Sequence, residues 1–216
     1  MKKLITLLFS AVLFFAAPAQ SEIAVGVTVN FATVDTDGSE TELSGDAQKA
    51  TASSSEDVVI PEIFVETISE GGFVLGLSYI PARELGSKTR TDTSPTGDQE
   101  TADAGDYTAK AELDNVVMLY TNVPLFYGTY LMGGIQKATL LTQENLNNGD
   151  DYEDAKLTGL SLGFGYRGSF GDSGFYKAEY VYTDFDEYSD ISTSNEHKVV
   201  ADTEVQSFKV SAGLAF

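Results

Sequence analysis

Cysteine and tryptophan are missing from this 216-residue chain, and histidine occurs once. Without thiols there is no disulfide framework and no cysteine chemistry, so stability has to come from another source. Basic residues are scarce as well, 13 against 33 acidic. With no basic patch to release counterions, nucleic acid is excluded as a partner class. Long apolar runs are also lacking after residue 20. The best later candidate, "LMGGIQKATLL" (131–141), is broken by glycines and a lysine, so no helical membrane span is expected.

The one long apolar run is at the start, in "MKKLITLLFSAVLFFAAPAQ". Lys2 and Lys3 form a positive head, Leu4 to Ala17 an apolar stretch, and Ala17-Pro18-Ala19 a small-residue cleavage site. This reads as a secretory signal peptide over 1–19, leaving 20–216 as the exported chain. Its removal takes away two of the basic residues and leaves a net charge of about −22.

What remains is rich in glycine, tyrosine, phenylalanine, valine and threonine, and alternates with a period of two. Eight strands are expected: 22–34, 58–68, 73–80, one within 108–122, 129–141, 157–170, 175–185, and the last from near Val205 to Phe216. In the second, Val59, Pro61, Ile63 and Val65 share one face, and Glu62, Phe64 and Glu66 the other. The fourth has the least regular pattern. A ten-strand arrangement stays open if part of 81–106 pairs.

Connections alternate between short and long. The links near 69–72, 123–128 and 171–174 are tight, whereas those at about 35–57, 81–106, 142–156 and 186–204 are long and acidic. Such alternation is the mark of an up-and-down meander with its two ends in different surroundings. One face of the strands is bulky and apolar. The other collects Gly26, Asn30, Ser78, Gly134, Ser161, Gly165, Ser211 and Gly213 with the charges Glu62, Glu66, Arg167, Lys177, Glu179 and Lys209. Small residues and opposite charges suit the cramped interior of an eight-strand barrel, and the bulky set suits lipid. Phe31, Tyr79, Tyr107, Phe126, Tyr127, Phe175, Tyr176 and Phe216 are expected near the two membrane interfaces. In lipid every backbone group must be paired, so the sheet has to close. The expected fold is therefore all-β: an eight-stranded antiparallel up-and-down transmembrane β-barrel. The six lumen charges are expected to form an ion-pair network, with Arg167 near Glu179 and Lys209 beside the first and seventh strands.

The signal peptide, the first strand "EIAVGVTVNF", the Gly-rich "LMGGIQKA" and "SLGFGYRG", and the ending "FKVSAGLAF" together resemble the small outer-membrane barrel family of the OmpA transmembrane domain, OmpX and the opacity-type proteins. The resemblance spans the mature chain and implies a bacterial outer-membrane location. It also implies that Phe208, Val210, Leu214 and Phe216 act as the signal read by the barrel-assembly machinery.

Candidate chemistry is thin. His197 has Ser194, Glu196 and Asp202 near it in sequence, a neighbourhood common in any polar loop, and a general base needs a positioned proton. "DTDGSE" (35–40) starts like a calcium loop, but its glycine falls at the fourth place and Asp46 stands where a twelfth-position Glu belongs. No catalytic residue, cofactor or specific metal site is expected, and the chain reads as a monomeric non-enzyme. Its expected role is structural and surface-presenting, with acidic loops contacting lipid and lipopolysaccharide through divalent cations. A narrow porin-like channel for small polar solutes and a soluble lipocalin-like binder are the alternatives.

Overall fold

A computed structural model describes residues 21–43, 49–92, 105–145, 154–192 and 197–216. The expected signal peptide and the tips of the long connections lie outside them. Ten strand segments form one sheet: β1 (Glu22–Glu42), β2 (Lys49–Ile68), β3 (Val74–Ile80), β4 (Arg83–Asp92), β5 (Gly105–Pro124), β6 (Thr129–Asn145), β7 (Ala155–Phe170), β8 (Gly174–Phe185), β9 (Tyr188–Ile191) and β10 (His197–Ala215). The pairing order is β1-β2-β3-β5-β6-β7-β8-β10, and β10 pairs back to β1. β4 pairs β5 and β9 pairs β10, prolonging β3 and β8 beyond short breaks. Residues 83–92 therefore do pair, yet the ring stays at eight strands.

Closure is fixed by register. From Val25 the ladders lead through Val65, Leu77, Leu119, Ile135, Leu160, Asp184 and Glu204 and return to β1 at Asp35. One circuit climbs from residue 25 to residue 35. Ten residues of rise over eight strand spacings tilts the strands by about 40°. Ile23 and Phe216 fasten the seam with two reciprocal backbone hydrogen bonds of 2.9 Å.

The lipid-facing set is the bulky one. Val25, Val27, Val29 and Phe31 on β1, Val59, Ile63 and Val65 on β2, and Phe208, Val210 and Leu214 on β10 are all exposed, as are Leu162 and Phe164 on β7. The band ends upward at Thr33, Asp57, Asn115, Lys137, Asp184 and Gln206, the first polar residues met on the outer face of their strands. Ten residues per strand at this tilt give an apolar band of about 25 Å, the height that an outer membrane requires. At the lower end the chain reverses in short turns, with Gly72, Gly128 and Gly171 at positive φ.

Strands run further than the apolar periodicity shows. Residues 35–42 and 49–57, expected in the first long loop, are paired strand, and so are 83–92, 142–145 and 197–204 of the other three. These segments rise beyond lipid, where serine, threonine and aspartate take both faces and leave no apolar contrast to read. The irregular pattern of the fourth strand has a local cause. β5 bulges between Asp114 and Val117, with Asn115 at φ 49°, so one extra residue resets its alternation.

Candidate functional site

The lumen is where the chain concentrates its polar chemistry. Glu62 and Glu66 enter from β2, Arg167 from β7, Lys177 and Glu179 from β8, and Lys209 from β10. Strand alternation turns all six inward, and five are buried; the Arg167 side chain keeps 19% exposure. Three carboxylates meet three cations.

Glu66 is the hub. Its Oε1 accepts from Lys177 Nζ at 2.6 Å and from the Tyr120 hydroxyl at 2.8 Å, while Oε2 accepts from Arg167 at 2.7 Å. Lys209 donates to Glu62 at 2.8 Å, and Glu179 stands 3.7 Å from Lys177. Arg167 thus meets Glu66 on β2 and not Glu179, the partner expected from neighbouring strands. The contact spans the lumen, and only the closed ring brings β2 opposite β7. Arg167 and Lys177 are direct ladder partners, a like-charge pair tolerated because Glu66 serves both. Lys209 has its expected neighbours on β1 and β8, but its ion partner is on β2, one strand further round.

The lumen is not lined by small residues alone. Phe64 and Phe175 pack with Ala24 towards the periplasmic end, and Met118, Tyr120, Tyr130 and Met132 form a second apolar layer with Val74 and Val181. Glycines make room for these rings. A Cβ on Gly76 would lie 2.3 Å from Tyr120, and one on Gly213 would lie 2.4 Å from Phe175. Phe175 was expected at a membrane interface; it is 2% exposed inside, with the Arg167 guanidinium 3.6 Å above its ring. A strand-end aromatic can face either way, and parity turns this one inward. Tyr176, its neighbour, faces lipid, as does Phe31. Phe126, Tyr127 and Phe216 are exposed at the lower rim; the Tyr107 side chain lies outside the described residues. Above the ions lies a third apolar layer, with Ala32, Ile60, Ile80, Val116, Ala138 and Phe185.

Elsewhere, His197 Nδ1 lies 3.1 Å from Glu40 across the β1–β10 seam, while Ser194 and Glu196 are outside the described residues. The "DTDGSE" stretch is extended and paired on both sides, Asp35 with Ser55 and Glu204 and Gly38 with Ala52 and Ala201. It does not wrap into an ion-binding loop. Among the described residues no three His, Cys, Asp or Glu side chains converge to hold a metal.

No protein-family model matches the chain, and no curated protein matches it by sequence. Solved structures match it in shape. The outer membrane protein OprG from Pseudomonas aeruginosa superposes with a TM-score of 0.52 at 15% identity, over 91% of this chain and 96% of that one. The outer membrane protease OmpT from Escherichia coli does so with 0.50 at 8% identity, over 90% and 97%. The chain folds as a bacterial outer-membrane β-barrel. At these identities the likeness carries the fold alone. The barrel's own surface supplies the location: a closed ring with an apolar outer band is built to span lipid, and its place is the bacterial outer membrane. The soluble, lipocalin-like reading required the bulky face inside and is overturned by the exposure of Val27 (60%), Leu162 (60%) and Phe164 (62%).

The six charged residues and their facing were visible in the alternation. Tyr120, the fourth member of the Glu66 cluster, was not. Its signal was the pairing of a bulky inward phenol with Gly76 and Gly134 on the flanking strands, legible only once the register is known.

Proposed function

We propose that this barrel is a non-enzymatic, monomeric surface-presenting scaffold, holding acidic extracellular strands and loops above a lumen closed by its own side chains. The observation that carries the reading is the filled interior: a charge-balanced ion cluster under an apolar layer, with a cavity of only about 10 Å³ among the ions. An eight-strand barrel has little more room than its inward side chains occupy. Planar-bilayer recordings test it, with no stable conductance expected. A large steady conductance would favour the other reading, a narrow channel for small polar solutes, which needs the Glu66 and Glu62 pairs to part.

The extracellular face suggests the partners. On the outer side of the sheet, just above the apolar band, Asp35 is paired directly with Glu204, Glu204 with Asp184, and Asp37 with Asp202. Carboxylates opposite one another repel. At headgroup height, divalent cations bridging them to lipopolysaccharide phosphates would relieve that repulsion. In the last strand Phe208, Val210, Leu214 and Phe216 all point to lipid, where the barrel-assembly machinery could read them as its signal. Deleting Phe216 is expected to lower the amount in the outer membrane while export continues; unchanged outer-membrane levels would refute that role.

A further inference from the structure

The internal cavity lies among the ions. Its polar wall is Thr28, Glu62, Tyr120, Lys177, Glu179 and Lys209, and its volume is about 10 Å³, close to what a single water needs. Glu179 sets the requirement. It is 5% exposed and has the Tyr130 hydroxyl beside it, yet its cation, Lys177 Nζ, stands 3.7 Å away, beyond hydrogen-bond reach. Its ladder neighbour Lys209 is committed to Glu62. An ammonium has three N–H groups, so both lysines retain donors after their short contacts to Glu66 and Glu62. Buried charges separated by such a gap are commonly joined through a water.

The charges also select the occupant. Three carboxylates and three cations balance, so a metal ion or a halide would leave a net charge buried, at a cost of several kcal/mol. A neutral molecule of one heavy atom, able to donate twice and accept, suits both the size and the charge.

We propose that this cavity is a hydration site for one long-lived water that donates to the Glu179 and Glu62 carboxylates and accepts from Lys177 or Lys209. The water joins the Lys209–Glu62 pair to the Glu66 hub, so that β2, β7, β8 and β10 share one polar network. It exchanges with the periplasmic side, where the half-open Arg167 sits beside the β5–β6 turn and donates its backbone N–H to Gly128. The Ile60–Val116–Phe185 layer lies on the other side.

The test is NMR on the full chain refolded in detergent micelles, reading cross-relaxation between water and the ζ-protons of Lys177 and Lys209. Bound-water cross-peaks are expected in the parent protein and in Glu179→Gln, whose amide oxygen still accepts, and their loss is expected in Glu179→Leu. If Glu179→Leu does not fold, the first two samples decide. Absence of the cross-peaks in the parent, with Glu179 in direct contact with a lysine at under about 3.2 Å, would overturn the proposal. So would a saturable shift of the lysine signals on titration with chloride, which would make the site an ion site.

Discussion

The same strands behave differently on the two sides of the polar ring formed by Thr33, Asp57, Asn115 and Asp184. Below it, seven of the eight ladders reach the ring and the circuit closes, while the β2–β3 ladder stops short of it at Ile63–Tyr79. Above it, the β6–β7 ladder ends at Leu140–Ala155 and the β7–β8 ladder at Gly159–Phe185. The ladders that continue make two separate sheets, β2-β1-β10-β9 and β4-β5-β6. Among the described residues no ladder joins β2 to β4 or β6 to β9. Pro61 and Pro81 stand at the upper end of the β2–β3 ladder, and proline has no N–H to donate to a ladder. The difference shows what closes a barrel. In hydrocarbon an unpaired backbone group costs several kcal/mol, so the ring closes there with its gap confined to the proline-bearing β2–β3 seam; in water the solvent satisfies the edge and the ring can stop.

The sharpest way to break the contrast is at Glu66. Replacing it with leucine strands Lys177 and Arg167 inside the closed region, at an expected cost of about 3–5 kcal/mol. Glu56→Leu, an exposed site on the upper part of the same strand, is expected to change stability by less than about 0.5 kcal/mol. Urea titration of folded barrel in detergent or lipid, followed by gel mobility, reads both. If the two variants unfold alike, the lumen network is not what holds the lower region. A charge on the outer face probes the lipid directly. Val27→Arg at mid-band is expected to cost about 2–4 kcal/mol in lipid vesicles, and Thr33→Arg, at the polar ring, about 0–1. Equal costs would place the membrane elsewhere on the barrel. The smallest expected effect concerns packing. Gly76→Ala drives a methyl group into the Tyr120 ring and should cost about 1–3 kcal/mol. Gly38→Ala meets nothing nearer than 3.7 Å, in the upper sheet, and is expected to be neutral within about 0.5 kcal/mol. Comparing their unfolding midpoints sharpens the picture of one tightly filled region below a loosely filled one.

The contrast also explains what could be read from the chain in advance. Where lipid lies on one side and a packed lumen on the other, each residue must choose, and Val25-Gly26-Val27-Thr28-Val29-Asn30 displays its facing openly. Where water lies on both sides, "KATASSSED" (49–57) carries no such choice, and its sequence reads as a loop. Parity tells which way a side chain points but not what it meets. Glu66, Arg167 and Lys177 were placed inside by alternation, whereas their mutual contact depends on the climb accumulated around eight strands, a property of the closed ring. Phe175 shows the same limit: its position near a strand end was legible, its choice between lumen and lipid was not.

The ten-residue climb has a consequence for surface engineering. A strand leaning by about 40° travels sideways by about 20 Å while crossing a 25 Å band. The barrel is wound like a corkscrew, and no extracellular hairpin stands above its own periplasmic foot. A tag grafted at the upper end of β1 and a crosslinker placed on the Ser69–Phe73 turn would lie at different compass bearings around the barrel axis. Azimuth, not chain order, should guide where two labels are placed to lie over one another.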